Sequence, residues 1–307
     1  MTEENKYAFI FEGVGVEYQS MINLLTEEQK KKLQECCLII SKEIDMDLWN
    51  FLFNNSTNKY DPFFYNWIAI YTIDYIVYQR YVEAGMNPKI FIGYSLGLIT
   101  ASACGKAITF ADGLNILLET YKYSKNHQGV NTGSMAVIIG MTHQNISKYI
   151  EDSNLINSVS IASENNEYCI VISGVKEDVN KIMKIAEDEG AIKVKDIDAP
   201  FAFHSKYAKK GIEDYIKYIE KMQMSDSQVP IISAFDQKII QKSYEIKSEL
   251  IRNMASSMGW RKSIETIIEQ GITNFVEISL SNSITKSTKI INTDCNFLTY
   301  DKVFKTK

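Results

Sequence analysis

The chain has 307 residues, 45% hydrophobic, 11% aromatic and 23% charged, an ordinary globular balance with enough length for one large core or two units. A net charge of −5 and a pI near 5.4 exclude wholesale nucleic-acid binding. The five cysteines (Cys36, Cys37, Cys104, Cys169 and Cys295) show no CxxC or His/Cys ligand spacing, so neither a zinc site nor a disulfide framework is expected.

The opening MTEENKYAFIFEG is acidic and then strand-like, without the basic and apolar regions of a secretory signal. Tyr7 to Phe11 reads as a strand running into the glycine turn Gly13-Val14-Gly15. Helical spacing follows over 24–42 and 63–84. The second of these stretches is strongly apolar but carries Asn66, Asp74, Gln79 and Arg80, which marks a buried helix and not a membrane span. No membrane association is expected, and a reducing cytoplasm is the simplest home. Pro88 introduces a strand over 89–94, and helical spacing resumes from Leu96 and again over 110–125.

After Gly129 the texture changes. Strands are expected over 135–140, 159–162, 169–173 and 191–198, with helices over 143–151 and 175–188. This βαββαβ order is the split βαβ, ferredoxin-like arrangement, here a small subdomain over 129–198 inserted into a larger α/β unit formed by 1–128 and 199–307. The larger unit continues with a helix near 206–222, a strand over 229–234, helices within 244–270 and a strand over 274–278. Ser281-Asn282-Ser283 is suited to cap a last helix before a closing strand at 296–300. Alternating strands and helices predict a mainly parallel sheet, with ligands beyond the C-terminal ends of its strands.

Ser95 lies at such an end, in FIGYSLGLIT. Gly-x-Ser-x-Gly suits a sharp strand-to-helix turn that pushes the hydroxyl out of the sheet, although the pattern also arises by chance in loops. A serine nucleophile needs a base. Of the three histidines, His127 lies in a polar segment at a helix end and His143 at a helix start that capping explains. His204, in Pro200-Phe-Ala-Phe-His-Ser205, sits where the chain leaves the small unit and re-enters the large one. A histidine beside phenylalanines is often a satisfied core residue, but the junction faces the expected cleft and favours His204 as the base. The backbone N–H of Leu96 is the natural first donor to an oxyanion, and the Gly13-Val14-Gly15 turn is a source for the second.

Phe-x-Gly-x-Gly near the N-terminus, Gly-x-Ser-Leu-Gly at Ser95 and Phe-Ala-Phe-His-Ser at His204 together resemble the malonyl-CoA:acyl carrier protein transacylases, a family that includes the acyltransferases of polyketide synthases. GYSLGLITASACGKAITFADGLNILL, TGSMAVIIG and VPIISAFD extend the likeness in order along nearly the whole chain. The resemblance implies an α/β-hydrolase-like parallel-sheet core with an inserted ferredoxin-like subdomain. It implies Ser95 as acyl-accepting nucleophile, His204 as general base, the N–H groups of Leu96 and Val14 as the oxyanion hole, and Asn253 as the carbonyl support of the histidine. Acyl carrier proteins and acyl thioesters are the implied partners. No resident cofactor is expected, since the substrate brings its own phosphopantetheine.

The departures are informative. Tyr94 replaces the histidine before the nucleophile and Leu98 the glutamate after the second glycine. The family's arginine, 25 residues past the nucleophile, pairs the free carboxylate of malonyl groups; here that position is Thr120. Losing such a clamp costs on the order of 3–5 kcal/mol. Lys122, about 200° further round a helix, is expected to face elsewhere. An acyl pocket built from Thr120, Leu98, Phe201 and Phe203 therefore suits an uncharged acyl chain, as in the arginine-lacking, free-standing acyl hydrolases of trans-acyltransferase polyketide pathways. The alternatives are transfer of the acyl group to a carrier thiol and a catalytically silent carrier-binding protein. Lys122, Lys125, Lys206, Lys209 and Lys210 are expected near the cleft mouth, where an acidic carrier would dock.

Overall fold

The computed structural model describes residues 6–126, 133–197, 199, 201–209 and 211–304. The chain opens with β1 (Tyr7–Phe11), followed by helices α1 (Glu27–Ile44), α2 (Leu48–Asn54) and α3 (Pro62–Glu83), and then enters β2 (Pro88–Gly93). Helices α4 (Gly97–Cys104) and α5 (Phe110–Asn126) come next. The middle of the chain is β3 (Gly133–Ile139), α6 (His143–Asp152), β4 (Val159–Asn166), β5 (Cys169–Val175), α7 (Lys176–Asp188) and β6 (Lys193–Ile197). After a short 3-10 turn at Lys206–Lys209 follow α8 (Glu213–Lys221), β7 (Ile231–Ile232), β8 (Ile239–Ile240), α9 (Ser243–Arg252) and α10 (Trp260–Glu269). The last elements are β9 (Asn274–Ile278), α11 (Ser283–Thr288), β10 (Asn296–Leu298) and α12 (Tyr300–Phe304).

The larger sheet has the order β10-β9-β1-β2-β7-β8, parallel except for the β7–β8 edge. Such a sheet is covered on both faces, which is why β1 is apolar without alternation. Phe9, Phe11, Phe91 and Val276 face the core shared with α3, while Ala8, Ile10, Ile92 and Phe275 face α10 through Trp260, Ile264 and Ile267. The second sheet is antiparallel in the order β4-β5-β3-β6. One face packs on α6 and α7 through Ala136, Ile138, Ile170 and Ile172. The other face carries Met135, Ala162 and Val171, packed with Phe203. This is the ferredoxin-like arrangement on an α/β frame. Among the described residues, no helix is long and apolar enough to cross a membrane.

Three local expectations change. The helix expected over 206–222 is broken: the 3-10 turn stops before Gly211, which is left-handed at φ +73°, and α8 starts at Glu213. The strand expected over 229–234 pairs only at Ile231–Ile232. The expected serine cap of α11 is met only in part: Ser281 Oγ accepts from Ser283 N at 3.2 Å, while the next two N–H groups are met by the buried carboxylate of Glu277, which accepts from Ile284 N at 3.2 Å and Thr285 N at 3.0 Å. Helix α2 was not anticipated. Its seven residues are too short for a periodic signal, and it is fixed by Asp47, whose side chain accepts from Asn50 N at 2.9 Å.

The glycines around Ser95 are explained by space. A side chain on Gly93 would lie 2.3 Å from Leu98 N, and one on Gly97 would lie 2.2 Å from Phe11 O and 2.7 Å from Glu12 O. Neither neighbour is a flexible side chain, so α4 sits on the ends of β1 and β2 only because both Cβ atoms are missing. Gly97→Ala is expected to cost about 1–3 kcal/mol, read as a fall of several degrees in Tm by circular dichroism. An unchanged Tm would show that the strand ends yield freely.

Candidate active site

β2 ends at Gly93 and α4 begins at Gly97, so Tyr94-Ser95-Leu96 must reverse the chain in three residues. Ser95 takes the turn in the left-handed region, at φ +53°, which costs a non-glycine residue free energy and persists only when neighbours enforce it. Here Tyr94 N donates to Phe11 O at 2.9 Å, Gly97 N to Tyr94 O at 2.9 Å and Leu98 N to Ser95 O at 3.0 Å. The Asn253 side-chain amide donates to the same Ser95 carbonyl at 3.0 Å.

His204 is also left-handed, at φ +57°, and its N–H is held by Met254 O at 3.0 Å. Its Nε2 lies 2.8 Å from Ser95 Oγ, and its Nδ1 lies 3.2 Å from the backbone oxygen of Ser256. A carbonyl only accepts, so Nδ1 carries the proton, Nε2 is left as an acceptor and Ser95 Oγ–H donates to it. The ring is 2% exposed. Burial lowers its pKa to about 4, opposed by the Ser256 contact, so the imidazole is neutral at pH 7. Asn253 therefore differs from expectation. It caps the end of α9 with its amide turned to the Ser95 carbonyl, and the ring N–H meets a main-chain oxygen three residues further on. A backbone carbonyl has no side-chain signature, so nothing in the sequence marks Ser256.

Val14, Ser95, Leu96, Thr120, Phe203, His204 and Asn253 all line one cavity of about 90 Å³. Among the described residues, no acceptor meets the N–H of Leu96, at the start of α4, or that of Val14. The turn bearing Val14 lies close against the Ser95 turn: a Cβ on Gly13 would be 2.8 Å from Tyr94 O. Leu98 and Phe201 are not in the cavity wall. Leu98 points into the core around α4, and Phe201 packs edge-on to Tyr123 at 5.2 Å, behind Phe203. Residues that sequence spacing did not single out complete the wall: Trp67, edge-on to Phe203 at 5.7 Å, together with Met135, Met254 and Met258.

Among the described residues, none in the wall is a lysine, arginine, aspartate or glutamate. Thr120 is buried and its hydroxyl donates to Ile116 O of its own helix at 2.9 Å. The three arginines are engaged elsewhere: Arg80 over the Phe304 ring, Arg252 with Asp236 and Arg261 with Glu265 and Glu164. Lys122 faces away and pairs with Glu119 at 2.7 Å, and Lys125 pairs with Asp61 at 2.7 Å. Beside His204 lies a second, polar groove of about 470 Å³, whose lining includes His143, Glu151, Lys206, Lys209, Ser256 and Ser257. His143 is the first residue of α6, whose cap is Thr142. His127 and Lys210 fall outside the described residues.

A left-handed serine bonded to a neutral, buried histidine, beside two unspent N–H groups, is a frame for acyl transfer. Residues 8–289 match the model of the acyl transferase domain, and the chain belongs to that family. The protein is an acyltransferase. It is 29% identical over 310 residues to the malonyl CoA-acyl carrier protein transacylase of Buchnera aphidicola subsp. Schizaphis graminum, covering 98% of this chain and 99% of that one. The solved malonyl CoA-acyl carrier protein transacylase of Coxiella burnetii superposes with a TM-score of 0.87 at 25% identity, covering 96% of this chain and 93% of that one. The malonyl-transacylase PlMCAT, solved with the type II PKS acyl-carrier protein AntF, has the same fold, with a TM-score of 0.86 at 21% identity over 98% of each chain.

The environment of His204 has a pH signature. Its folded pKa, about 4, lies below the usual value of 6.5, so the folded state resists the proton. This is felt below pH 6.5 and removes up to about 3 kcal/mol of stability by pH 4. Ring-nitrogen NMR is expected to show a titration midpoint near 4; a midpoint near 6.5 would contradict the buried, carbonyl-bound ring.

Proposed function

We propose that Ser95 and His204 form an acyl-enzyme from acyl-carrier-protein thioesters, that the acyl group is short and uncharged, and that water releases it. The observation that carries this reading is the Ser95 cavity, about 90 Å³, with no lysine or arginine in its wall among the described residues. A free carboxylate there would be desolvated without a partner, at a cost of several kcal/mol.

The geometry supports an ordered proton path. As Ser95 Oγ attacks the thioester carbonyl, its proton passes to His204 Nε2, and the Ser256 carbonyl steadies the ring N–H on the far side. The N–H groups of Leu96 and Val14 receive the developing oxyanion. Collapse of the intermediate expels the thiol, which takes the proton from Nε2, and leaves an ester on Ser95. Water then gives a proton to Nε2 as it attacks the ester carbonyl, and collapse returns that proton to Ser95 Oγ as the free acid leaves. Transfer to a second carrier thiol uses the same ester and is the activity named for the curated relatives, so it is the second reading. A silent carrier-binding role is disfavoured by the 2.8 Å contact between Ser95 and His204.

An acyl carrier protein is the partner in this reading. Of the lysines expected at the cleft mouth, Lys206 and Lys209 line the polar groove and make no ion pair among the described residues, which leaves them for an acidic carrier.

Two outcomes are expected. Incubation with acetyl-, butyryl- and malonyl-carrier proteins, followed by intact mass, should show a Ser95 ester from the first two, with free acid and unloaded carrier as products. Ser95→Ala should give none of these, and His204→Ala should be slower by about 10²–10⁴-fold. An ester discharged only when a second carrier is added makes the protein a transacylase. In the same competition Thr120→Arg should shift preference toward malonyl; efficient malonyl loading by the unmodified protein would sink the uncharged-acyl reading.

A further inference from the structure

Immediately before the Gly13–Val14 turn, the chain buries a group of acids that the chemistry above does not use. Glu12, Asp74 and Glu277 are each 1% exposed or less, and Tyr18 is fully buried among them. Tyr18 Oη lies 2.5 Å from Glu12 Oε1, 2.5 Å from Asp74 Oδ1 and 2.8 Å from Ser279 Oγ. Glu12 Oε1 also accepts from Ser279 Oγ at 2.7 Å, and Oε2 accepts from Ser281 Oγ at 2.7 Å and Ser283 Oγ at 2.8 Å. The other oxygen of Asp74 has no partner among the described residues. The acids do not form a metal-holding group.

Counting protons decides the charge state. A phenol has one hydrogen and donates to one carboxyl, yet Tyr18 makes two contacts of 2.5 Å. Two bare acceptors at that distance repel, so one of the carboxyls must itself carry a proton and donate to Tyr18. Glu12 has three serine donors besides Tyr18, whereas Asp74 has only Tyr18. The negative charge therefore rests on Glu12 and the proton on Asp74, which also makes the orphan Asp74 oxygen tolerable. Burial pushes the Asp74 carboxyl well above the usual range and raises Glu12 against the pull of four hydroxyls. The remaining groups facing the cluster are Glu277, pushed up to about 7 mainly by burial, and beyond it Cys104 and Tyr81.

We propose that the carboxyls of Asp74 and Glu12, bridged by Tyr18, hold one proton between them, on Asp74, and that Glu12, gripped by Ser279, Ser281 and Ser283, is the positioning residue that fixes the Gly13–Val14 backbone so that Val14 N–H faces the Ser95 cavity. This rests on the role given above to Val14. Among the described residues, no backbone hydrogen bond begins or ends on residues 13–16. The Glu12 carboxylate is thus the polar anchor of the turn, tying it to the β9–α11 connection on the neighbouring strand.

The test compares two isosteric variants. Asp74→Asn keeps a neutral donor to Tyr18, so the rate of Ser95 acylation should stay within about threefold of the unmodified protein. Glu12→Gln puts N–H groups against serine hydroxyls, and the maximal rate should fall by about 10- to 100-fold with KM changed little. The reverse order would place the proton on Glu12, and equal rates in both variants would remove the positioning role. Should Glu12→Gln fail to fold, the double variant Ser281→Ala, Ser283→Ala is measured instead, with a loss in the same direction expected and no loss overturning the role. Infrared difference spectra of the unmodified protein against Asp74→Asn at pH 7 should contain the carbonyl stretch of a protonated carboxylic acid. Its absence overturns the proton assignment without reference to activity. Continued acylation in Ser95→Ala would instead break the reading of the site while leaving that band to be judged on its own.

Discussion

Everything at the site depends on one close approach of main chain to main chain. α4 lies directly on the ends of β1 and β2, with no side chain between Gly97 and the carbonyl of Phe11. That contact sets the angle at which the helix leaves the sheet, and the angle forces the residue between them into the left-handed region. A serine placed there has its hydroxyl thrown clear of the sheet, and the next N–H begins a helix with no partner of its own. The outward Ser95 hydroxyl and the free N–H of Leu96 are thus two results of a single packing constraint.

The second sheet completes what the first begins. Its inner face supplies Met135, Ala162, Val171 and Ile197 to the wall that Ser95 faces. β4 also reaches the segment after α9: Met258 N donates to Ala162 O at 2.8 Å, and Glu164 N to Met258 O at 3.4 Å. That segment carries the Ser256 carbonyl, so the tautomer of His204 is set by a strand of the small sheet acting through the main chain. Tyr94 adds a side-chain tie to the small sheet, its hydroxyl donating to Asn165 at 2.9 Å while its ring is held edge-on to Trp260 at 5.1 Å within the larger unit.

Much of this was legible in the sequence because it is written in spacing and residue type. The parallel sheet follows from alternating strands and helices, and the ferredoxin-like order from six short elements in a row. The encounter of Ser95 with His204 follows from a motif at a strand end and a histidine at a unit junction. What was not legible is of two kinds. One is main-chain chemistry: the Ser256 carbonyl and the direction of the Asn253 amide depend on how α9 ends. The other is phase. Leu98 follows Ser95 by three residues, but α4 turns it into the core, whereas Thr120 lies on the inward face of α5. In β3 both faces are apolar, Met135 and Val137 on one and Ala136 and Ile138 on the other, so alternation could not say which face meets the helices and which meets the cavity. Nor could periodicity reveal that the hydroxyls of Ser281 and Ser283, read as a helix cap, turn back to Glu12.

The three methionines in the cavity wall give the pocket an unequal pair of filters. A thioether chain is unbranched and shifts among rotamers at little cost, so Met135, Met254 and Met258 form a wall that gives way by degrees when pressed. Charge meets no such leniency: among the described residues no lysine or arginine lines the wall, and a charged group there loses hydration without gaining a partner. On the proposed reading, discrimination by size is therefore graded and discrimination by charge abrupt. Over evolutionary time the first is open to change one methylene at a time, while the second changes only when a whole charged residue is gained.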